Sequence, residues 1–172
     1  MKTSLVNIFK STIIMYMTGA VIVQIHRLLL KKKKTVSAAE SCTGGMLSEF
    51  LTSLPGSSKY FILGVVSYSN KAKEDILKIP SSMIARHGAV STIVAQLMAR
   101  SVRILGRTDL GIGVTGIAGP AGGSKEKPVG TVFIAIDSKN KKICEKFIFS
   151  GGRSSIRKQT ALKALELLKN LI

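Results

Sequence analysis

The sequence predicts an α/β layered domain with a largely buried sheet, on three observations. Short apolar, β-branched runs alternate with stretches of helical periodicity along the chain, the order that lays helices onto a sheet. The length of 172 residues suits a single domain with one sizeable core. Hydrophobic residues make up 45% and charged residues 20% of the chain, which excludes a disordered charged tail as its main content. No internal repeat and no linker divides it.

Residues 18–34 predict the first helix. Val21, Ile25, Leu28 and Leu29 recur at helical spacing, and Lys31 to Lys34 fall at its C-terminal end, where cations are favoured. The uncharged stretch from Ser11 to Ile25 is too short for a membrane span, and no small-x-small cleavage site follows it. Neither a membrane anchor nor a secretory signal is therefore expected, and residues 1–17 form an extension with no assigned role. Thr35–Ala39 predicts a short buried strand, Thr43–Leu54 a helix stopped by Pro55 and Gly56, and Phe61–Tyr68 a second strand. Asn70 is expected to cap a helix that runs to about Lys78, with Pro80 as its stop, and His87 to stand in a turn before Gly88. Ser91 then caps a helix through Leu105, with Gly106 as its C-cap. Leu110–Ile117, Val129–Ile136 and Lys142–Phe149 predict three further strands. Arg153–Ile172 closes the chain as an amphipathic helix with Ile156, Leu162, Leu165 and Leu168 among its apolar positions.

The formal net charge of +17 attracts phosphate-bearing partners. Lysine supplies most of it in scattered positions, and there is no Trp, no aromatic interleaving and no zinc or RNA-binding signature, so no specific nucleic acid is expected as a partner. Cys42 and Cys144 are too few for a disulfide framework or a four-cysteine zinc site, which points to a reducing, cytoplasmic compartment. No cluster of His, Cys, Asp or Glu has metal-ligand spacing, so neither metal nor cofactor is called for.

Two stretches carry the candidate chemistry. Ala38-Ala39-Glu40-Ser41-Cys42-Thr43-Gly44-Gly45 places a hydroxyl and a thiol at a strand-to-helix turn, beside glycines whose backbone N–H groups are candidates to receive an anion. Ser41 in such a place is most often a helix cap; Tyr68 and Lys73, at the next strand-to-helix junction, raise it to a candidate nucleophile. A desolvated lysine loses basicity enough to act as a base, and a tyrosine hydroxyl relays or donates a proton. Cys42 is the alternative nucleophile, with only His26 and His87 available as histidine bases. The second stretch, Thr115 to Gly130, is a loop so rich in glycine that its backbone can approach a ligand closely. Gly111 to Gly116 fits the GxGxxG dinucleotide pattern literally, but its glycines fall inside a strand-like run with no helix after them, so the match is rejected.

Taken together, AESCTGG at 39–45, GSS at 56–58, YSNKAK at 68–73, HGAVS at 87–91, VTGIAGPAGGSKEKPVGTV at 114–132 and FSGGRSSIRKQT at 149–160 resemble the CinA C-terminal domain family, in unbroken order over residues 18–172. They look like its stand-alone members that act as nicotinamide-nucleotide amidases. The resemblance implies a single three-layer α/β/α domain with a mixed sheet, commonly dimeric and independent of metal. It implies hydrolysis of the carboxamide of a small nucleotide, nicotinamide mononucleotide, to nicotinate mononucleotide and ammonia, with Ser41 as nucleophile and Tyr68 and Lys73 as its catalytic partners. Thr43, Gly44 and Gly45 are then expected to cradle an oxyanion or a phosphate. Gly119, Gly122 and Gly123 of the loop, with Arg153 and Arg157, are expected to hold the 5′-phosphate. The alternative is a noncatalytic, nucleotide-binding, competence-associated protein. Two positions depart from the family: Gly152 stands where an acidic residue often precedes the first closing arginine, and Lys71 replaces a commonly acidic residue, where its charge is expected to depress the pKa of Lys73.

Overall fold

The computed structural model describes residues 19–172. Helix α1 runs over 19–32, followed by β1 (Val36–Glu40), α2 (Met46–Thr52), a 3-10 turn (Ser57–Lys59), β2 (Phe61–Val66), α3 (Asn70–Asp75), α4 (Ser81–His87), α5 (Thr92–Gly106), β3 (Leu110–Gly116), β4 (Thr131–Ser138), β5 (Lys142–Ile148) and α6 (Arg153–Lys169). The sheet order is β2-β1-β3-β4-β5. β1 runs parallel to both β2 and β3, whereas β4 is antiparallel to β3 and to β5, so the sheet is mixed.

The period-two alternation of the strands divides the core into two layers. Val36 and Ala38 of β1, Ile112 and Val114 of β3, and Val132, Ile134 and Ile136 of β4 pack against Ile25 and Leu29 of α1, Leu47 and Leu51 of α2, and Ile156, Ala161 and Leu165 of α6. The opposite face carries small side chains at its centre. Ala39, Gly113 and Ala135 meet α5 there, whose Val94, Met98 and Val102 also pack with Leu77, Ile79 and Ile84. The architecture is thus a single three-layer α/β/α domain. The three central strands are buried almost throughout, and the edge strands β2 and β5 are half open, with Ile62, Val66 and Ile148 exposed.

The glycines that produced the spurious dinucleotide match are packing residues. A Cβ on Gly111 would overlap the carbonyl of Ala99, and one on Gly113 the carbonyl of Ala95, so their absence lets the α5 backbone lie directly on β3. Gly106 has a related role: it is the last residue of α5, packed on Ser37 and Leu63, and the left-handed cap residue after it is Arg107, φ 50°. Gly106 is therefore not the C-cap that the sequence predicts.

Other boundaries also move for local reasons. α2 begins at Met46, not Thr43, because Gly44 (φ 60°) and Gly45 (φ 97°) are left-handed and cannot lie in a right-handed helix. The cap of α3 is Ser69, whose side chain accepts the amide of Ala72 at 3.0 Å, not Asn70, and that helix stops at Asp75. The segment predicted as a turn around His87 is instead α4, and His87 is its final residue. Ser91 caps α5 as expected, accepting the Val94 amide at 3.3 Å. The extension at 1–17 lies outside the described residues; among those described, no helix is long and apolar enough to cross a membrane.

Candidate active site

β1 and β2 deliver their carboxyl ends side by side, and the two segments that follow them build the site. Ser41 continues β1 by one residue, its amide donating to the carbonyl of Val114 at 3.0 Å. Ser67 continues β2, its amide donating to the carbonyl of Glu40 at 2.8 Å. α3 then turns Lys73 back under this edge, where Nζ donates to the Ser67 carbonyl at 2.8 Å and to Ser41 Oγ at 3.1 Å.

Lys73 is only 1% exposed. Among the described residues no carboxylate accepts from it, and burial pushes its pKa below the ordinary lysine value. A thiolate at Cys42 would pull the other way, but burial pushes that thiol up to about 12, so it is a neutral neighbour at physiological pH. Lys71, which the sequence suggested as a contributor to the depression beside burial, is not among its causes: it points outward and pairs with Asp75 at 2.9 Å. The pair therefore consists of a buried amine with a lowered pKa and a hydroxyl within hydrogen-bonding reach of it.

The pair opens into a cavity of about 240 Å³, whose walls include Tyr68, Thr115 and Arg153. Tyr68 is 59% exposed, and its hydroxyl accepts from an Arg153 nitrogen at 2.6 Å. It lies at the mouth of the cavity, not between lysine and serine. Arg153 also donates to the carbonyl of Gly119 at 2.9 Å, so a backbone carbonyl orients the arginine in a chain that has Gly152 at the position of the expected acid. Thr115 Oγ1 donates to the Ala89 carbonyl at 2.8 Å and fixes the far wall. Among the described residues, larger depressions of about 820 Å³ along α1, about 460 Å³ near the amino end of β3 and about 310 Å³ between α5 and β4 do not include the Ser41–Lys73 pair.

The remaining residues predicted for the site are not all brought into it. The amides of Gly44 and Gly45 are taken internally, by the Ser41 carbonyl at 3.2 Å and by the Glu40 carboxylate at 2.9 Å, so they are not free to cradle an anion. The Cys42 and Thr43 amides, by contrast, meet no backbone acceptor among the described residues. Arg157 lies outside the cavity wall and clamps the Thr43 carbonyl through two nitrogens at 2.7 and 3.0 Å, which makes it a support of the turn. Gly122 and Gly123 are exposed in the loop beyond the wall, and Gly119 participates through its carbonyl alone. The cysteine alternative finds no histidine base, since His26 pairs with Tyr60 at 3.2 Å and His87 ends α4.

Sequence reasoning missed three contributors. Glu40 stands inside the AESCTGG motif, but nothing in its spacing distinguishes it from a solvated acid. Thr115 is hidden in the apolar run of β3. Lys127, which donates to the Val90 carbonyl at 2.7 Å and pins the glycine-rich loop beside the cavity, is one lysine among many.

The structure thus defines the chain as a single α/β/α domain with a buried lysine beside a serine at the carboxyl ends of parallel strands. The chain belongs to the CinA C-terminal domain family, whose profile matches residues 19–172. A CinA-like protein of Syntrophus aciditrophicus is 47% identical over 146 residues, 84% of this chain and 35% of its own length. One of Geobacter sulfurreducens is 46% identical over 145 residues, again 84% of this chain and 35% of the relative. The chain thus spans about a third of the length of these relatives. Among solved structures, the competence/damage inducible protein CihA of Agrobacterium tumefaciens superposes with a TM-score of 0.87 at 38% identity, covering 90% of this chain and 94% of that one. The competence damage-inducible protein A of Klebsiella pneumoniae gives 0.86 at 30% identity, covering 89% and 95%.

Proposed function

We propose that this chain hydrolyses the carboxamide of nicotinamide mononucleotide to nicotinate mononucleotide and ammonia, through a serine ester. The observation that carries the reading is the 3.1 Å contact between Ser41 Oγ and a buried Lys73 Nζ whose pKa is held low. The family resemblance supplies the substrate.

In the first half-reaction neutral Lys73 takes the Ser41 proton while Oγ attacks the amide carbon. The serine hydroxyl is a weak nucleophile unaided, and a base at this distance is what activates it. The carbonyl becomes an oxyanion at the cavity wall, where the amide of Cys42 is the candidate donor, and one such donor typically lowers the barrier by about 3 kcal/mol. Lys73 returns its proton to the leaving nitrogen, the C–N bond breaks, and ammonia departs. Water, deprotonated by the same lysine, then splits the ester and restores Ser41. The cavity is smaller than the roughly 300–1,000 Å³ of a whole small-ligand pocket, which suits it to the pyridine carboxamide, with the phosphoribosyl group left at the mouth beside Arg153 and Tyr68. The same reading takes the protein as a cytoplasmic homodimer of this small-molecule pathway.

Purified protein is expected to release ammonia from nicotinamide mononucleotide, and Ser41→Ala to abolish the release. Folded wild-type protein that binds the nucleotide but releases no ammonia above background would refute this reading and favour the noncatalytic alternative.

A further inference from the structure

Glu40 is connected to both members of the Ser41–Lys73 pair, through two different groups. Its side chain is fully buried, and it leaves β1 on the α2 side of the sheet. One carboxylate oxygen accepts the amides of Gly45 at 2.9 Å and Leu47 at 3.1 Å; the other accepts the amide of Ser48 at 2.8 Å and its hydroxyl at 2.6 Å. All four partners donate here, so the group must accept at each position, as a carboxylate does and a carboxamide cannot. These bonds close residues 41–48 into a loop anchored on the residue immediately before Ser41. The second group is the Glu40 carbonyl, which accepts the Ser67 amide at 2.8 Å and the Ser67 hydroxyl at 3.4 Å. Ser67 in turn presents its own carbonyl to Lys73 Nζ.

A helix cap needs only the bonds at the start of α2. Here the same residue also sets the segment that holds the base, so any shift of Glu40 moves both atoms of the pair at once. A buried polar network satisfied at every member is rigid, and rigidity of about this kind keeps a nucleophile and its base in register.

We propose that Glu40 is a positioning residue: its carboxylate ties down the turn that aims Ser41 Oγ at Lys73 Nζ, without touching the substrate. The proposal rests on Ser41 being the nucleophile of the reading above. Glu40→Gln keeps the shape but must turn an NH2 toward backbone donors, whereas Glu40→Asp keeps the charge with a shorter reach.

The test measures kcat and KM for ammonia release from nicotinamide mononucleotide, together with the rate at which a fluorophosphonate probe forms a phosphonyl ester on Ser41 with loss of fluoride. Both are run on variants shown to be folded by circular dichroism. Glu40→Gln is expected to lower kcat about 100-fold, the scale of a misplacement of about 1 Å, to leave KM within about threefold, and to slow labelling of Ser41 by a similar factor. Glu40→Asp is expected to recover part of both losses. Folded Glu40→Gln with wild-type kcat and labelling overturns the proposal, as does a loss carried by KM alone. Should Glu40→Gln fail to fold, Ser48→Ala, which removes one of the four donors, takes its place. It is expected to lower kcat and labelling about tenfold, and wild-type behaviour of that variant overturns the proposal. Wild-type protein that is labelled at Ser41 but releases no ammonia refutes the substrate reading and leaves the labelling rates to decide Glu40. Wild-type protein that is not labelled removes the activated serine and overturns Glu40's role with it.

Discussion

Replacing Lys73 by methionine is expected to remove activity and, at neutral pH, to make the protein more stable. The perturbation deletes one buried amine and keeps an unbranched chain of similar volume. Two opposing effects set the sign. An amine buried without a carboxylate partner is held at a desolvation cost of several kcal/mol when charged, and its depressed pKa records that cost. Against this, the Ser67 carbonyl loses its donor, at about 1–3 kcal/mol for a buried unsatisfied group, whereas Ser41 Oγ faces the cavity and can take water instead. The balance favours the variant by about 1–2 kcal/mol, which raises Tm by about 2–8 °C in a chain of this size. The pH dependence follows from linkage. With the folded pKa below the unfolded one, the unfolded chain binds the extra proton, so wild-type stability climbs with pH until about 10.4, where the unfolded lysine also becomes neutral. The advantage of Lys73→Met is therefore largest at neutral and acid pH. It shrinks as pH rises above the folded pKa and reverses only where the unfolded lysine is also neutral, near about 10.4, with the wild-type amine keeping its two hydrogen bonds. Thermal melts of both proteins between about pH 6 and 10 would show the curves converge, while ammonia release falls by about 10²–10⁴. A variant that is less stable than wild type by the same amount at every pH would refute the reasoning, because Lys73 would then be an ordinary charged lysine in the folded state.

Three further outcomes are expected. With its thiol pushed up to about 12, Cys42 is thiolate in only about one molecule in ten thousand at about pH 8; iodoacetamide should label it only after denaturation, and rapid labelling of native protein with loss of activity would restore cysteine as a nucleophile. Gly113→Ala places a Cβ against the Ala95 carbonyl, about 2.5 Å from the Ala99 amide nitrogen and 3.0 Å from Met98 Cβ. The forced retreat of α5 should cost about 1–3 kcal/mol and lower Tm by about 2–12 °C, and an unchanged Tm would contradict the close α5–β3 approach. Arg153→Lys replaces a fork that reaches both Gly119 and Tyr68 by a single point charge. Losing one charge-assisted bond should raise KM about tenfold with a smaller effect on kcat, and wild-type kinetics would exclude Arg153 from substrate placement.

How much of this was legible in the sequence depends on the range of the interaction responsible. Every strand was readable, because a run such as Val132 to Ile136 is apolar wherever it lies in a central strand. α4 was missed because Ser81 to His87 is short and polar, with Ile84 its only buried residue. Ser69 and Asn70 are both good caps by composition, and only the path of the chain out of β2 decides between them. Ser41 and Lys73 could be picked out by residue type and junction, but not shown to meet: their contact spans 32 positions and depends on β1 pairing with β2 in one register. The expected roles of Gly44 and Gly45 went astray for a related reason. Glycines in a turn signal available amides, and only the fold reveals that Glu40, from the preceding strand, has already taken one.

Glu40 and Ser41 show how finely the chemistry depends on that register. Successive residues of a strand face opposite sides, so the acid enters the layer of α2 and the serine the layer of α3 and α5. A slip of one residue in β1 would exchange them and put a carboxylate beside Lys73. The anion would stabilise the ammonium form and raise the lysine pKa, cancelling the effect of burial. Under the proposed reading, in which Lys73 must accept the Ser41 proton, that shift would work against forming the nucleophile. The strand pairing that keeps Glu40 out of the cavity is therefore as much a condition for a lysine base as the burial of Lys73 itself. The glycines at 111 and 113 serve the same end, since they let α5 lock β3, and with β3 the register of β1, from Val36 opposite Leu110 to Glu40 opposite Val114.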